Sequence, residues 1–206
     1  MIITTLKDTL ADNWSVITIF LVTMITLRIF YFHNHRQKVS LYREFFNILA
    51  IVYVFLLFQL LTKVELNSGS GVNIIPFKEI MRYELGSRLF IFNVLGNIAV
   101  FIPFGFFVAD YVKAKNISPV LIISTIVSAT VEFVQLEIGR SFDIDDIILN
   151  VIGGILGYLL YVALKSIKSH LPNVFQKDGI YNLICAIIIV LFIVYLLNSI
   201  GVIAIP

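Results

Sequence analysis

Charge is scarce in this chain. Asp, Glu, Lys and Arg make up only 14% of it, against roughly 25% in a soluble globular domain, which excludes an ordinary water-soluble fold. The net charge of +2 and the scatter of the basic residues exclude a nucleic-acid partner, because a phosphate-binding surface needs a dense basic patch. A single cysteine, Cys185, excludes an internal disulfide and a Cys-based metal cluster. The three histidines, His33, His35 and His170, fall in loops away from the acidic residues and give no basis for a His-held zinc. No Pro/Ser-rich linker, low-complexity tract or internal repeat divides the chain, so one domain is expected over 1–206. No G-x-S-x-G, P-loop or H-E-x-x-H is found either.

What the chain has is apolar length. Hydrophobic residues make up 59% of it, and windows of about 20 apolar residues are what a helix needs to cross a bilayer. Six such spans are predicted: Trp14–Phe32, Phe45–Leu61, Leu89–Tyr111, Pro119–Ile138, Ile144–Leu164 and Tyr181–Ile203. The expected fold is therefore all-α, a polytopic integral membrane helical bundle. The first apolar segment has no signal-peptide flank or cleavage site and is expected to remain in the mature protein. Loops bearing Arg36, Lys38, Arg43, Lys113, Lys115, Lys165, Lys168 and Lys177 fall on one side of the membrane. The other side carries Lys7, Lys63, Lys78, Arg82, Arg88 and Arg140, a bias of eight against six that puts both termini and Arg140 outside. Trp14 and Tyr31, Tyr111, Tyr158, Tyr161 and Tyr181 lie near span ends and are read as interfacial anchors.

Against this background, residues 132–154, EFVQLEIGRSFDIDDIILNVIGG, concentrate acids, amides and an arginine. Ionisable residues inside spans are expensive, usually face a bundle interior and mark function. Their spacing is regular. Asn93 and Asn97 lie four apart; Ser128, Glu132 and Gln135 follow at four and three; Asp143, Asp146 and Asn150 at three and four. Each set occupies one helical face. Turned towards one another under the Gly139-Arg140 turn, the three stripes describe an outward-opening polar pocket. Arg140 is placed to neutralise Glu132 or Asp143, or to pair bidentately with a phosphate. The alternative is that these groups only join helices, and the number of charges favours a site. Asp143, Asp145, Asp146 and Glu132 offer oxygen ligands to a hard cation, but Arg140 competes for them, so no metal and no cofactor is assigned. Asp145 reads as a helix-start residue pointing elsewhere.

Gly153 and Gly157 form a G-x-x-x-G through which helices approach closely, and this is the face a second copy would use to form a homo-oligomer. Gly96, Pro103 and Gly105 are expected to loosen and kink the third span. The loop NIIPFKEI, 73–80, reads as an interfacial segment and a lid, with Lys78, Arg82 and Arg88 within reach of lipid phosphates.

The runs NIIPF, NVLGNIAVFIPFGF and EFVQLEIGRSFDIDDIILNVIGGILG, within about residues 40–165, resemble the VanZ-like membrane proteins. The resemblance matches Asn73, Pro76, Asn93, Asn97, Pro103, Gly105, Glu132, Gln135, Arg140, Asp143, Asp146, Asn150 and Gly154. It implies a bacterial plasma membrane location and reduced susceptibility to teicoplanin-type lipoglycopeptides, without a reaction. Three function classes follow. The first binds a lipid or a lipid-linked, phosphate-bearing cell-wall precursor at the outer leaflet through Asn93, Asn97, Glu132, Gln135, Arg140, Asp143, Asp146 and Asn150. The second is a hydrolase or transferase with Glu132 or Asp146 as base and Arg140 steadying an anionic transition state. The third is a lipid or ion transporter, against which stands the lack of an inverted repeat.

Overall fold

In lipid every backbone N–H and C=O has to be satisfied within the protein, which makes helices the way through for apolar runs of this length. The computed structural model describes residues 16–31, 40–61 and 71–199. They form α1 (Val16–Tyr31), α2 (Leu41–Leu61), β1 (Val72–Asn73), α3 (Lys78–Arg82) and α4 (Arg88–Phe90). A π-helical turn, Ile91–Leu95, leads into α5 (Gly96–Tyr111), followed by α6 (Ser118–Glu137), β2 (Phe142–Asp143), α7 (Ile144–His170), α8 (Asn173–Gln176) and α9 (Asp178–Ser199). The fold is all-α. Four helices are long and apolar enough to cross a membrane: α2, the continuous α4–α5 segment Arg88–Tyr111, α6 and α7. Helix α1 and the Asp178–Leu191 part of α9 are apolar but shorter. Trp14, His33, His35, Arg36, Lys38, Lys63 and the ends of the first and sixth predicted spans lie outside the described residues.

The chain divides by its contacts into two compact units. One is built on Val52–Lys165, the other on Val16–Ile51 with the chain from Ser166 onward. In the second, the Arg28 guanidinium donates to both carboxylate oxygens of Glu44 at 2.6 and 2.7 Å. Asn182 Oδ1 accepts the Tyr42 N–H at 3.0 Å, and the Lys168 ammonium lies 4.4 Å from the centre of the Tyr181 ring.

The Val52–Lys165 unit holds the polar stripes, and its helices meet through glycine. A side chain at Gly153 would strike the Ile98 carbonyl and Phe101, one at Gly157 the Ile102 carbonyl, and one at Gly105 the Gly154 backbone. Helices α5 and α7 therefore pack backbone to backbone. This corrects two expectations. The Gly153/Gly157 face reserved for a second copy is covered by α5 of the same chain, and Gly105 marks close packing where looseness is expected. Helix α5 also runs on through Pro103; the departure from regular helix lies earlier, in the π-turn. Phe101 and Phe104 pack with Leu57 of α2, while Ala109, Val120 and Tyr161 form a second cluster. Tyr161 is thus a core residue, only 7% exposed, and not an interfacial anchor.

Helix α6 ends where Gly139 takes φ +85°. The Gly139 N–H returns to the Leu136 carbonyl at 3.1 Å and the Arg140 N–H to the Gln135 carbonyl at 2.8 Å, the paired bonds of a Schellman cap. The chain then runs into β2, which pairs in parallel with β1, Val72 opposite Phe142 and Asn73 opposite Asp143. This two-residue ladder ties the loop before α4 to the α6–α7 turn.

Candidate functional site

At this end of the helices lies a cavity of about 440 Å³, within the size range of small-molecule sites. The π-turn and α5 contribute Asn93 and Asn97, the α6–α7 connection contributes Arg140 and Asp143, and α7 contributes Asp146. The stripes do converge: the Asn97 amide donates to Asp146 Oδ1 at 2.6 Å, and the Asn73 amide to Asp143 Oδ1 at 2.9 Å. Each of these carboxylates thus has a carboxamide donor beside it.

Three of the predicted ligand-binding residues do not line this cavity. Glu132 is 1% exposed, and its Oε2 accepts the backbone N–H of Asp143 at 2.9 Å. It pins the β2 backbone from behind, so it is not placed to act as a general base on anything in the cavity. Gln135 donates to the Leu61 carbonyl at 2.7 Å, and Arg140 Nη1 donates to the same oxygen at 3.1 Å. Both side chains cap the last carbonyl of α2, one of the acceptors a helix C-terminus leaves without an intrahelical partner. Asn150 donates to Ser128 Oγ at 2.9 Å, joining α7 to α6. The side chains of Glu132, Gln135 and Asn150 bond to the frame around the cavity, while Asn93, Asn97, Arg140, Asp143 and Asp146 line it.

The loop of residues 71–83 supplies the remaining wall, with Asn73, Lys78, Glu79, Arg82 and Tyr83. Arg82 donates to Glu79 at 3.1 Å, whereas the Lys78 ammonium has no hydrogen bond or ion pair among the described residues. Arg88 is not part of the lining. Asp145 turns towards this loop. It is 1% exposed and accepts the N–H groups of Phe77, Glu79 (2.8 Å) and Ile80 (3.1 Å). Its position beside Asp146, off the three-and-four stripe, hides this role in the sequence. The only signal is a carboxylate in the first turn of a helix. Tyr83, which lines the cavity with Asn93, carries no such signal at all.

Burial lifts the Asp143 carboxyl above its ordinary value, against the opposing pull of the Asp145 N–H and the Asn73 amide. Burial raises the Tyr83 phenol as well. Among the described residues no group of three His, Cys, Asp or Glu side chains is arranged to hold a metal ion. The acids meet backbone and amide N–H donors instead.

Long apolar helices and a polar cavity at the ends of three of them define a helical membrane protein with a site cut into one end of its bundle. Residues 13–165 match the VanZ/LLP1 family, and the chain belongs to it. It is similar to Protein VanZ of Enterococcus faecium, 27% identical over 157 residues that span 72% of this chain and 89% of that protein. No solved structure matches it.

Proposed function

We propose that the protein sits in the bacterial plasma membrane and binds the anionic headgroup of a lipid-linked cell-envelope molecule at the outer leaflet, lowering susceptibility to teicoplanin-type lipoglycopeptides. The observation that supports this is the makeup of the cavity wall. Lys78, Arg82 and Arg140 bring three cations to a space of about 440 Å³ that also presents the amides of Asn93 and Asn97, beside the carboxylates of Glu79, Asp143, Asp145 and Asp146. Guanidinium and ammonium groups together with amide donors suit a phosphate. The size suits a headgroup and excludes a whole lipoglycopeptide, so antibiotic access changes through the lipid. The link to susceptibility comes from the VanZ-like resemblance.

Removing a charged hydrogen-bonding group from a phosphate site costs about 1.5–3 kcal/mol, roughly a tenfold or greater loss of affinity. Arg140→Ala and Asn97→Leu, expressed at wild-type levels, are expected to weaken binding of a phosphate-bearing lipid in nanodiscs by that much and to restore teicoplanin susceptibility. Unchanged susceptibility and unchanged binding in both variants would sink the reading.

The pair of carboxylates in the same wall, Asp143 and Asp146, favours a second reading as a hydrolase or transferase in which Asp146, held by Asn97, is the base. Glu132 is not available for that role. Incubating the purified protein with candidate lipids and finding no product, with and without EDTA, counts against it.

A further inference from the structure

The loop between β1 and α4 has two unlike faces. One lines the cavity with Lys78, Glu79, Arg82 and Tyr83. The other carries Ile74, Ile75, Phe77, Met81 and Leu85, with Met81 82% and Leu85 83% exposed. A contiguous apolar surface on a short loop is a liability in water and marks an interaction site. Here it runs on into Leu89, Ile91 and Leu95, exposed along the α4–α5 span that crosses the membrane.

The backbone of the same loop is built for low dielectric. A loop in water leaves its N–H groups to solvent, but one seated among lipids has to satisfy them internally, since each unsatisfied group there is expensive. From Ile75 to Met81 every N–H has a partner in the protein. Ile75 donates to the Asn73 side chain, Lys78 to the Ile75 carbonyl and Met81 to the Phe77 carbonyl. Phe77, Glu79 and Ile80 donate to Asp145, and Pro76 has no N–H to satisfy. Lys78, Arg82 and Arg88 sit beside the apolar residues, as cations do next to lipid phosphates.

From these two observations we infer that residues 74–89 are seated in the bilayer interface with lipid acyl chains against Ile74, Ile75, Phe77, Met81 and Leu85. The cavity mouth then opens within the headgroup layer. A ligand reaches it sideways from the leaflet, its head passing Lys78 and Arg82 and its tail staying over Met81 and Leu85. This rests on the headgroup reading for what enters the cavity, but the lipid contact itself does not.

The test uses the full chain with its single tryptophan removed (Trp14→Phe) and Met81→Trp or Leu85→Trp added, in vesicles of phosphatidylcholine and phosphatidylglycerol. An indole on an interfacial segment lies about 5–10 Å into the headgroup and acyl boundary. Its emission is expected to be blue-shifted and quenched several-fold more by lipids brominated high on the acyl chain than by aqueous iodide. Emission at the wavelength of free N-acetyltryptophanamide, quenched by iodide as that compound is and indifferent to brominated lipid, would overturn the inference. The two positions serve as checks on each other, because Leu85 lies in the turn before Gly86 and tolerates change if Met81→Trp fails to fold. In the same vesicles, titration with a polyisoprenyl phosphate, whose terminal phosphate the phosphodiester lipids of the vesicle do not offer, reads the headgroup proposal separately, so either can fail while the other stands.

Discussion

Asp145 and Asp143 are two residues apart and act in opposite ways on the stability of the site. Three backbone N–H groups of the 77–80 loop converge on Asp145, and hydrogen bonds to a charged acceptor are worth about 1.5–3 kcal/mol each. Asp145→Ala leaves all three donors without a partner. It is expected to lower stability by at least about 3 kcal/mol and to expose the loop to proteolysis between Ile74 and Arg82, read by thermal unfolding in detergent and by limited digestion. Asp145→Asn, which keeps one acceptor oxygen, is expected to fall between the two. Asp143 behaves differently because burial raises its carboxyl above the ordinary value of 3.8. A carboxyl raised in the folded state favours the protonated form there more than in the unfolded chain. Its stabilising effect is therefore complete below pH 3.8 and is lost as pH climbs through the raised value. Asp143→Asn is expected to flatten that part of the stability–pH curve, and a curve identical to wild type would refute the assignment.

Helix packing makes a sharper demand than helix composition. A methyl group at Gly157 would come within 2.1 Å of the Ile102 carbonyl oxygen, while one at Gly96 would come no nearer than 3.8 Å to the Ile91 oxygen. Gly157→Ala is expected to destabilise by about 1–3 kcal/mol through overpacking against backbone. Gly96→Ala is expected to be neutral or to gain up to about 1 kcal/mol from helix propensity. Unfolding midpoints measured side by side in one detergent check both, and equal midpoints would mean that α5 and α7 are not in contact. The G-x-x-x-G pattern announces a close approach but not the helix that makes it. The same holds for the polar stripes. Spacing at three and four shows which residues share a helical face, so Asn97 and Asp146 are legible as facing partners. Depth along the face is not coded that way, and Glu132, Gln135 and Asn150 turn out to bond behind the cavity wall. The π-turn that carries Asn93 and the two-residue β1–β2 ladder depend on tertiary contacts and leave no periodic trace.

At the scale of the whole molecule the function depends on which way the cavity faces. The sidedness rests on eight basic residues in one set of loops against six in the other, and the six include Lys78, Arg82 and Arg140, which line the cavity. By the positive-inside rule this bias is an expectation that Arg140 lies outside, and labelling tests it. With Cys185→Ser as background, a cysteine at Ser141 is expected to react with a membrane-impermeant maleimide in intact cells, and one at Lys115 only after permeabilisation. Ser141 suits the purpose because it is exposed at the cavity rim. The reverse labelling pattern would put the cavity in the inner leaflet. An outer-leaflet lipid target would then be impossible, while the loop's seat in the bilayer interface, which depends on its apolar face and internally bonded backbone, would survive on the opposite side.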